Sequence, residues 1–251
     1  MIRTPRISVC IPTYEMNGHG CNFLNQSLEV LESQTFKNFE VVVSDQSEDD
    51  EIKDLCHKKW NMNLRYYSTK QLKKNASANT NAAIDASRGK IVKILFQDDF
   101  LLGPDALMKI SNTFDETCAK WVLTGSAHTF DGRALFKPFI PEYHNLIHYG
   151  KNTVSSPSVL AFLKEDAPKF NEALVWLMDV DFYKKCELAW GHPAVLPEPL
   201  VVNRIHGDQV SKKIESKIIR EEISIVRSIY RGGESWRDWC HYLGRLRRTY
   251  F

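Results

Sequence analysis

Two adjacent carboxylates, Asp98 and Asp99, follow an apolar run at residues 94–96 after the single residue Gln97, and they precede a Gly103-Pro104 turn. Adjacent carboxylates repel each other and are costly beside a core, so folding alone gives no reason to place them there. Carboxylate oxygens suit Mg²⁺ and Mn²⁺, and Mg²⁺ commonly takes one or two protein carboxylates while substrate phosphates complete its shell. The pair therefore predicts either a divalent-cation site for a phosphorylated ligand or a solvated acidic loop.

A second pair of carboxylates, Asp179 and Asp181, lies in the helix-like segment WLMDVDFY. A carboxylate in apolar sequence must be paired, cap a helix or take part in chemistry. Residues two apart diverge on a helix, so at most one should face a cleft unless the helix begins between them. Burial beside Trp176 and Met178 would raise the pKa of that carboxylate toward the range of a general base. The pair predicts a proton acceptor or a helix cap.

A third polar cluster, VNRIHGDQVS, contains Arg204 and His206. A guanidinium can neutralise phosphate, and an imidazole can bind a metal ion or a diphosphate. A histidine at the end of a strand can equally make an ordinary hydrogen bond, so both interpretations of His206 stay open.

Glycine-rich phosphate loops are not found in the sequence. There is no Walker motif, and the stretch PTYEMNGHG after the first strand has the wrong spacing for Gly-x-Gly-x-x-Gly. A dinucleotide or ATP site of either familiar kind is therefore not expected. A phosphorylated ligand would need another source of positive charge, and a cation at the acidic pair is one.

The elements that must position these clusters alternate regularly in the first half of the chain. Short β-branched runs are followed by segments with helical spacing. The predicted strands are ISVCIP, FEVVVSD, LRYYST, KIVKILF and KWVLTGSA. This alternation predicts a mostly parallel sheet covered by helices on both faces, with ligands at the carboxyl ends of the strands. PTYE, SDQSEDD and QDDF fall at those ends, so we expect them to converge on one rim.

The second half of the chain is less regular. Residues 136–150 are predicted to be a loop, SVLAFLKE a strand and residues 174–191 a helix. A proline-punctuated strand is predicted within residues 192–211, and one or two helices from Lys212 onwards.

Composition and charge describe an ordinary globular protein. The chain has 251 residues, 43% hydrophobic and 25% charged, which suits one large domain or one domain with a small appendage. A formal net charge of +2 gives no support for nucleic-acid binding. Six scattered cysteines without Cys-x-x-Cys spacing indicate neither a zinc site nor a disulfide framework. With no signal-peptide core and no long apolar run, we expect a cytoplasmic protein with at most peripheral membrane contact.

Five segments in this order and spacing resemble the inverting family 2 glycosyltransferases of GT-A fold, from about residue 7 to residue 211. They are ISVCIPTYE, FEVVVSDQSEDD, NTNAAIDASRGKIVKILFQDD, WLMDVDFY and VNRIHGDQVS. The resemblance implies an α/β nucleotide-diphospho-sugar transferase fold with a C-terminal helical tail. It implies transfer of a sugar, with inversion, from a nucleoside diphosphate donor to a hydroxyl of a glycan or a lipid-linked glycan. Mn²⁺ or Mg²⁺ would be the cofactor.

The resemblance also implies a division of the chain. Residues 1–211 would be the catalytic domain, with a nucleotide-binding half at about 1–103 and an acceptor half at about 104–211. Residues 212–251 would be a C-terminal helical extension.

Nucleoside contacts are carried over from the family position by position. The loop after the first strand matches the loop that contacts the nucleoside, although the family usually has Asn where Glu15 stands. Asp45 matches the aspartate that contacts the base in relatives with uridine donors, which makes UDP the first choice. Asn81 matches a family Asn, but Thr80 replaces the Arg usually beside it. The remaining matched residues are Pro12, Thr13, Tyr14, Ser47 and Asp49.

The acidic motif is a shifted version of the family's Asp-x-Asp. Aligning on Pro104 places Asp99 at the metal-binding aspartate, while Gln97 replaces the first carboxylate. Asp98 would then bind ribose or a metal-bound water.

The family's Glu-Asp-x-Asp pattern matches MDVD, which puts the base at Asp179 with Asp181 as the second candidate. His206 matches a histidine that completes the metal or diphosphate site in relatives. It or Arg204 would stabilise the charge of the leaving diphosphate.

Two other classes remain as alternatives. A catalytically degenerate GT-A domain could bind sugar nucleotides or scaffold a glycan-assembly complex, and the departures at Glu15, Thr80 and Gln97 support it. A nucleotidyltransferase is disfavoured because no glycine-rich, lysine-containing first loop is present.

The C-terminal segment mixes aromatic and basic side chains. Such a mixture can lie in a membrane interface near anionic lipids, which would suit a lipid-linked acceptor. The alternative is a helix that packs its aromatics on the catalytic domain or on a second subunit of a homodimer. The residues concerned are Trp236, Arg237, Trp239, Tyr242, Leu243, Arg245, Arg247, Arg248, Tyr250 and Phe251.

Overall fold

The structure is a computed structural model that describes residues 4–209, 213–231 and 236–247. The predicted domain boundary at 211/212 lies outside the described residues. So do Arg248, Tyr250, Phe251 and the side chain of Arg237.

The first half of the chain forms a parallel sheet, as the alternation of strand and helix predicts. Its strands are β1 (Ile7–Thr13), β2 (Phe39–Asp45), β3 (Asn63–Ser68) and β4 (Ile91–Ile94), in the spatial order β3-β2-β1-β4. Every residue of β1 and β2 is buried, because helices cover both faces of this part of the sheet. The helices that follow the first three strands are α1 (Gly20–Glu32), α2 (Glu51–Cys56) and α3 (Ala76–Ala86).

The second half extends the same sheet with mixed strand directions. The elements are β5 (Phe100–Leu101), α4 (Ala106–Thr117), β6 (Trp121–Thr129), β7 (Leu135–Phe139), β8 (Leu160–Leu163), α5 (Met178–Trp190) and β9 (Ala194–Arg204). Strand β8 runs antiparallel between β4 and β6, while β9 runs parallel to β6. The order within the described residues is β3-β2-β1-β4-β8-β6-β9-β5, with β7 paired to β6. The whole is an α/β fold with one continuous curled sheet.

Two strands are missed by the sequence patterns. Strand β5 has two residues, too few to show a period, and it pairs antiparallel with β9. Strand β7 lies in the stretch predicted to be a loop, and its exposure does not alternate clearly between faces. Helix α5 begins at Met178, four residues later than predicted.

Two further helices, α6 (Ser216–Tyr230) and α7 (Trp236–Arg247), follow the sheet. Helix α6 buries Glu222, whose carboxylate accepts hydrogen bonds from the backbone N–H groups of Val175, Trp176 and Leu177 at 2.7–3.2 Å. These N–H groups precede the first turn of α5 and have no partner within that helix, so Glu222 acts as its cap from a distant element. The start of α5 is therefore held by the C-terminal part of the chain.

We expect Glu222→Ala to lower the free energy of unfolding by roughly 1.5–3 kcal/mol, because three backbone N–H groups, that of Leu177 buried, lose a charged acceptor. Urea unfolding curves of the parent and the variant give this difference. Glu221→Ala is the matched control, since Glu221 is the exposed neighbour on the same helix and should stay within about 0.5 kcal/mol of the parent. Equal midpoints for the two variants would contradict the capping role.

The aromatic residues of α7 are partly packed and partly exposed. Tyr242 lies 6.0 Å from the ring of Tyr149, and the guanidinium of Arg227 lies 4.3 Å from the Tyr242 ring. Trp236 and Leu243 are exposed, at 79% and 45%. Packing against Tyr149 and against helix α6 thus accounts for part of the segment. Among the helices of the described residues, none is long and apolar enough to cross a membrane.

Candidate active site

A cavity of about 730 Å³ opens at the carboxyl ends of β1 and β4 and at the start of α5. Its size lies within the range of small-molecule sites. Asp98 and Asp99 lie on one part of its wall and Asp179 on another. Of the residues predicted from the sequence, the cavity is lined by Pro12, Tyr14, Glu15, Asp98, Asp99 and Asp179.

Asp99 is held at the tip of β4 by three donors. Its Oδ2 accepts hydrogen bonds from Asn203 Nδ2 at 2.8 Å and Ser156 Oγ at 3.2 Å, and its Oδ1 accepts from the backbone N–H of Arg204 at 3.1 Å. Desolvation, with repulsion from Asp98 as a smaller cause, raises the pKa of Asp99 to about 7. A nearby positive charge would stabilise the ionised form of a carboxylate whose pKa is raised in this way.

The acidic loop fits a cation that shares its shell with substrate. A carboxylate offers about four lone-pair positions, and three are used on Asp99, which leaves one for a single metal bond. No group of three or more His, Cys, Asp or Glu side chains gathers around a common point in the described part of the chain. A site with one or two protein carboxylates completed by phosphates and water is how Mg²⁺ is usually bound, so the donor set fits.

Gln97 stands where the resemblance implies a carboxylate, and it makes two hydrogen bonds within the protein. Its Oε1 accepts from the backbone N–H of Tyr14 at 2.7 Å, and its Nε2 donates to the Tyr14 carbonyl at 2.8 Å. A carboxylate could not make the second bond, because it has no donor when ionised. We call these two hydrogen bonds between Gln97 and Tyr14 the clamp. A Cβ at Gly20 would lie 2.2 Å from the same Tyr14 carbonyl oxygen, so only glycine fits at position 20. Gln97 therefore fixes the loop after β1 to the acidic loop.

Lys93, on β4, is a fully buried lysine. The sequence analysis gave it no role, because the rest of its strand is apolar. Its Nζ donates to the carbonyl oxygen of Ser158, next to Ser156 and Asp99. Burial lowers the pKa of Lys93 to about 7, against the smaller opposing effect of Asp99. It joins β4 to the segment that begins β8.

Asp179 lies half-buried in the first turn of α5 and lines the cavity. Its Oδ1 accepts from the N–H of Val180 at 2.7 Å, and its Oδ2 accepts from Asn152 Nδ2 at 2.8 Å. Desolvation raises the pKa of Asp179 to about 7, despite these hydrogen bonds, which favour the charged form. The direction is the one expected for a carboxylate beside Trp176 and Met178.

Asp181, the second candidate for the base, does not reach the cavity. It is fully buried, its Oδ2 lies 2.7 Å from Lys185 Nζ, and its Oδ1 accepts from the hydroxyl of Tyr230 at 2.7 Å. The two carboxylates diverge because they are two residues apart on one helix, as the spacing predicts. The structure thus gives Asp181 a packing role between α5 and α6.

If Asp179 accepts a proton during sugar transfer, as the resemblance implies, the rate measured at saturating Mn²⁺ should rise with pH and level off above about 7, because a base must be deprotonated to accept a proton. The raised pKa of Asp179 sets this midpoint. A bound cation would keep Asp99 ionised over this pH range, so Asp99 would not contribute to the pH profile. Below the midpoint the rate should fall about tenfold per pH unit. Asn152→Ala removes a donor that favours the charged form, so its midpoint should lie at higher pH. A rate that is flat between about pH 5.5 and about pH 8.5 would exclude Asp179 as the base.

Three predicted nucleoside contacts lie behind the cavity wall. Asp45 is fully buried and accepts from Thr13 Oγ1 at 3.1 Å, Ser47 Oγ at 2.6 Å and Tyr66 at 2.9 Å. Asp45, Thr13 and Ser47 are all absent from the lining of the cavity. The three residues brace the ends of β1 and β2, and the neighbour Gln46 lines the cavity instead.

Two further candidates, Asn81 and Arg204, also have other partners. Asn81 exchanges hydrogen bonds with the backbone of Phe170 at 3.0 Å in both directions and lies outside the lining. The guanidinium of Arg204 lies 4.6 Å from the Phe23 ring and donates to the Asp98 carbonyl at 3.2 Å. This places Arg204 against α1, where it supports the acidic loop from behind.

His206, predicted as a metal ligand, pairs with Asp98 in this structure. Its Nε2 lies 2.9 Å from Asp98 Oδ2, and its Nδ1 accepts from the backbone N–H of Asp208 at 3.2 Å. Both ring nitrogens are thus engaged with residues that line the cavity, although His206 itself is outside the lining. Metal binding by His206 would require it to leave Asp98.

Glu15 has a buried side-chain oxygen that a ligand could satisfy. Its Oε2 is buried and has no hydrogen-bond partner among the described residues, although the residue lines the cavity. A buried acceptor without a partner is costly, and a donor group on a bound molecule would satisfy it.

Several residues of the site are missed by sequence reasoning. They line the cavity but were given no role there from the sequence: Gln46, Lys74, Asn79, Asn152, Ser156, Trp176, Asn203 and Arg245. Gln46, Asn79, Trp176, Asn203 and Arg245 lie in segments that the sequence analysis singled out, whereas Lys74, Asn152 and Ser156 lie outside them.

Comparison with known proteins places the chain in a family. Residues 8–164, more than half of the chain, match Glycosyl transferase family 2. The chain therefore belongs to glycosyl transferase family 2, and its fold is the GT-A fold that the sequence predicts. Over 100 residues it is 28% identical to a GalNAc(5)-diNAcBac-PP-undecaprenol beta-1,3-glucosyltransferase of Campylobacter jejuni, which covers 39% of this chain and 31% of that protein. Over 195 residues it is 27% identical to an uncharacterized protein, y4gI, of Sinorhizobium fredii, which covers 72% of this chain and 20% of that protein.

The matches span only a third or less of those two relatives.

Solved structures agree on the fold. S. aureus TarS 1–349 in complex with UDP-GlcNAc matches with a TM-score of 0.72 and 20% identity, over 98% of this chain and 71% of that one. The mannosyltransferase PcManGT of Pyrobaculum calidifontis, in complex with GDP-Man and Mn²⁺, matches with a TM-score of 0.63 and 15% identity, over 100% and 71%.

Proposed function

We propose that this protein is an inverting, metal-dependent glycosyltransferase that moves a sugar from a nucleoside diphosphate donor to a hydroxyl of a glycan or lipid-linked glycan. The observation that carries the proposal is the pair of separate carboxylates on one cavity, Asp99 and Asp179, each with its pKa raised to about 7. Asp99 is suited to bind a cation, and Asp179 is suited to accept a proton. Both tasks are needed, because a carboxylate bound to a divalent cation is too acidic to serve as the base.

Asp179 is proposed to accept the proton of the acceptor hydroxyl. A sugar hydroxyl is a weak nucleophile, and removal of its proton as the new bond forms contributes roughly 10²- to 10⁴-fold. Asn152 and the N–H of Val180 hold both oxygens of the carboxylate in one orientation. Attack from this side, opposite the leaving diphosphate, would invert the anomeric carbon in a single displacement.

Asp99 is proposed to hold Mn²⁺ or Mg²⁺, with Asp98 beside it. When bound, the cation would supply the positive charge that stabilises the leaving diphosphate. The chain's own part is to hold the Asp99 carboxylate in place, which Asn203, Ser156 and the N–H of Arg204 do.

The nucleoside is proposed to lie against the loop after β1. Pro12, Tyr14 and Glu15 line the cavity there, and the unpaired Oε2 of Glu15 suits a donor on the base or the ribose. UDP remains the first choice of nucleotide, with UDP-GlcNAc bound in the TarS structure as support.

A lipid-linked glycan as acceptor is supported by the name of the Campylobacter relative. Peripheral contact of the C-terminal helix with a membrane and a cytoplasmic location belong to the same proposal.

The alternative of a degenerate, non-catalytic GT-A domain is favoured by one observation. Gln97 holds the backbone of Tyr14 where relatives have a carboxylate, so the acidic motif has lost one anionic group. Asp98 and Asp99 retain two carboxylates on the cavity wall, which is why catalysis is the stronger proposal.

A panel of nucleotide sugars with and without Mn²⁺ separates the two functions. An enzyme should bind UDP more tightly with the metal and should hydrolyse or transfer from at least one donor. Binding that ignores the metal, with no turnover of any donor on glycan acceptors, would instead establish a binding module.

A further inference from the structure

The C-terminal helix α7 contributes one side chain to the cavity, that of Arg245. Its guanidinium lies over the ring of Trp176 at 4.8 Å, and both residues line the wall near the start of α5. Stacking on an aromatic face uses the face of the guanidinium, while its N–H groups donate in the plane. An arginine placed in this way suits recognition of an oxyanion with two acceptor atoms.

Gly150 allows Arg245 to enter this corner. A Cβ at Gly150 would lie 3.1 Å from Nε and from one terminal nitrogen of Arg245, and the backbone there has a φ of +81°. The positive φ favours glycine at this turn, and the guanidinium of Arg245 packs closely against it. Asn152, two residues further along, donates to Asp179. The turn therefore brings Arg245 and the proposed base to the same end of the cavity.

Trp176 is itself fixed by the C-terminal part of the chain. Its backbone N–H donates to both oxygens of Glu222, at 3.2 and 2.9 Å. Helix α6 thus holds the platform on which Arg245 of α7 lies.

The charges on the cavity wall make Arg245 distinctive. Among the described lining residues the carboxylates are Glu15, Asp98, Asp99, Asp179 and Asp208, and the cations are Lys74 and Arg245. Of the two cations, Arg245 is the one that lies over Trp176, next to the first turn of α5 that carries Asp179. An anionic group on an acceptor would be repelled by most of the wall and attracted at the Trp176–Arg245 corner.

We propose that Trp176 and Arg245 form an acceptor subsite that binds a phosphate group carried by the acceptor, as a phosphodiester or diphosphate next to the sugar that is glycosylated. The subsite rests on the proposed function and deepens it, since it names the chemistry of the acceptor. The anion fixes the sugar so that its hydroxyl faces Asp179.

The test compares two acceptors that carry the same sugar, one through a decyl diphosphate and one through a decyl ether. Arg245→Ala should raise the KM of the diphosphate acceptor by roughly 10- to 100-fold, as expected for loss of a charged hydrogen bond, and change the KM of the ether by less than about 3-fold. Arg245→Lys, which keeps the charge without the planar stack, should fall between the parent and the alanine variant. Arg247→Ala is the matched control, because Arg247 is exposed on the same helix and outside the cavity lining. Thermal melts of all variants show whether each is folded.

Equal increases in KM for both acceptors, or none for either, would overturn the subsite. Equilibrium binding of the two compounds needs no turnover, so a parent that prefers the diphosphate compound but transfers no sugar would refute the enzyme and keep the anion site. Decyl diphosphate without sugar and inorganic diphosphate identify the source of the anion. If either binds as tightly as the sugar-bearing compound, the site belongs to a lipid headgroup or a free anion, and the assignment to an acceptor fails.

Discussion

Asp179→Asn is expected to lower the rate of sugar transfer by roughly 10²- to 10⁴-fold while donor affinity stays near that of the parent. The amide keeps the shape of the side chain, and its one oxygen can still accept from Asn152, but it loses the acceptor for the N–H of Val180 and cannot accept the proton of the hydroxyl. Steady-state transfer assays and binding of UDP with Mn²⁺, measured on the same preparation, separate the two effects.

The matched control for this prediction is Asp181→Asn, the same change two residues further along the helix. Asp181 is buried against Lys185 and Tyr230, so its loss should lower stability and leave turnover of the folded protein largely intact. Near-normal turnover by Asp179→Asn would refute the base assignment, and a specific loss in Asp181→Asn would transfer the role to that residue.

The second large effect is expected for Asp99→Asn. Loss of the carboxylate should remove the increase in donor affinity that Mn²⁺ gives and lower turnover by roughly 10²-fold or more, since metal stabilisation of a leaving group is worth several kcal/mol. Titration of UDP at fixed protein concentration, with and without Mn²⁺, measures the first effect directly.

Asp105→Asn is the control for Asp99→Asn. Asp105 follows the same loop, pairs with Lys109 at 2.9 Å and lies outside the cavity lining, so it should retain metal-dependent binding. If Asp99→Asn binds UDP with an undiminished metal effect, the cation lies elsewhere.

Much of the fold follows from local patterns in the sequence. Continuous β-branched runs predicted β1 and β2, because strands buried on both faces need no polar alternation. The rule that ligands meet the carboxyl ends of parallel strands predicted the rim where Tyr14 and Asp99 lie on one cavity. Helical spacing predicted that Asp179 and Asp181 would diverge.

The remainder depends on contacts between distant parts of the chain. The clamp of Gln97 on Tyr14 joins residues 83 positions apart, and Glu222 caps a segment 45 to 47 positions before it. No local period encodes such pairs. The position of Asp45 outside the cavity lining was not predicted, for a related reason. A motif gives the type of residue, but only packing decides whether its carboxylate faces a ligand or braces two strands.

The central claim is that a divalent cation binds at the tip of β4, across the cavity from a separate proton acceptor. Anomalous diffraction from crystals grown with UDP and Mn²⁺ tests it directly. We expect one manganese peak next to the carboxylate of Asp99, with Asp179 outside its coordination shell. A peak bound to Asp179, or nucleotide density in the cavity without manganese at Asp99, would contradict the account.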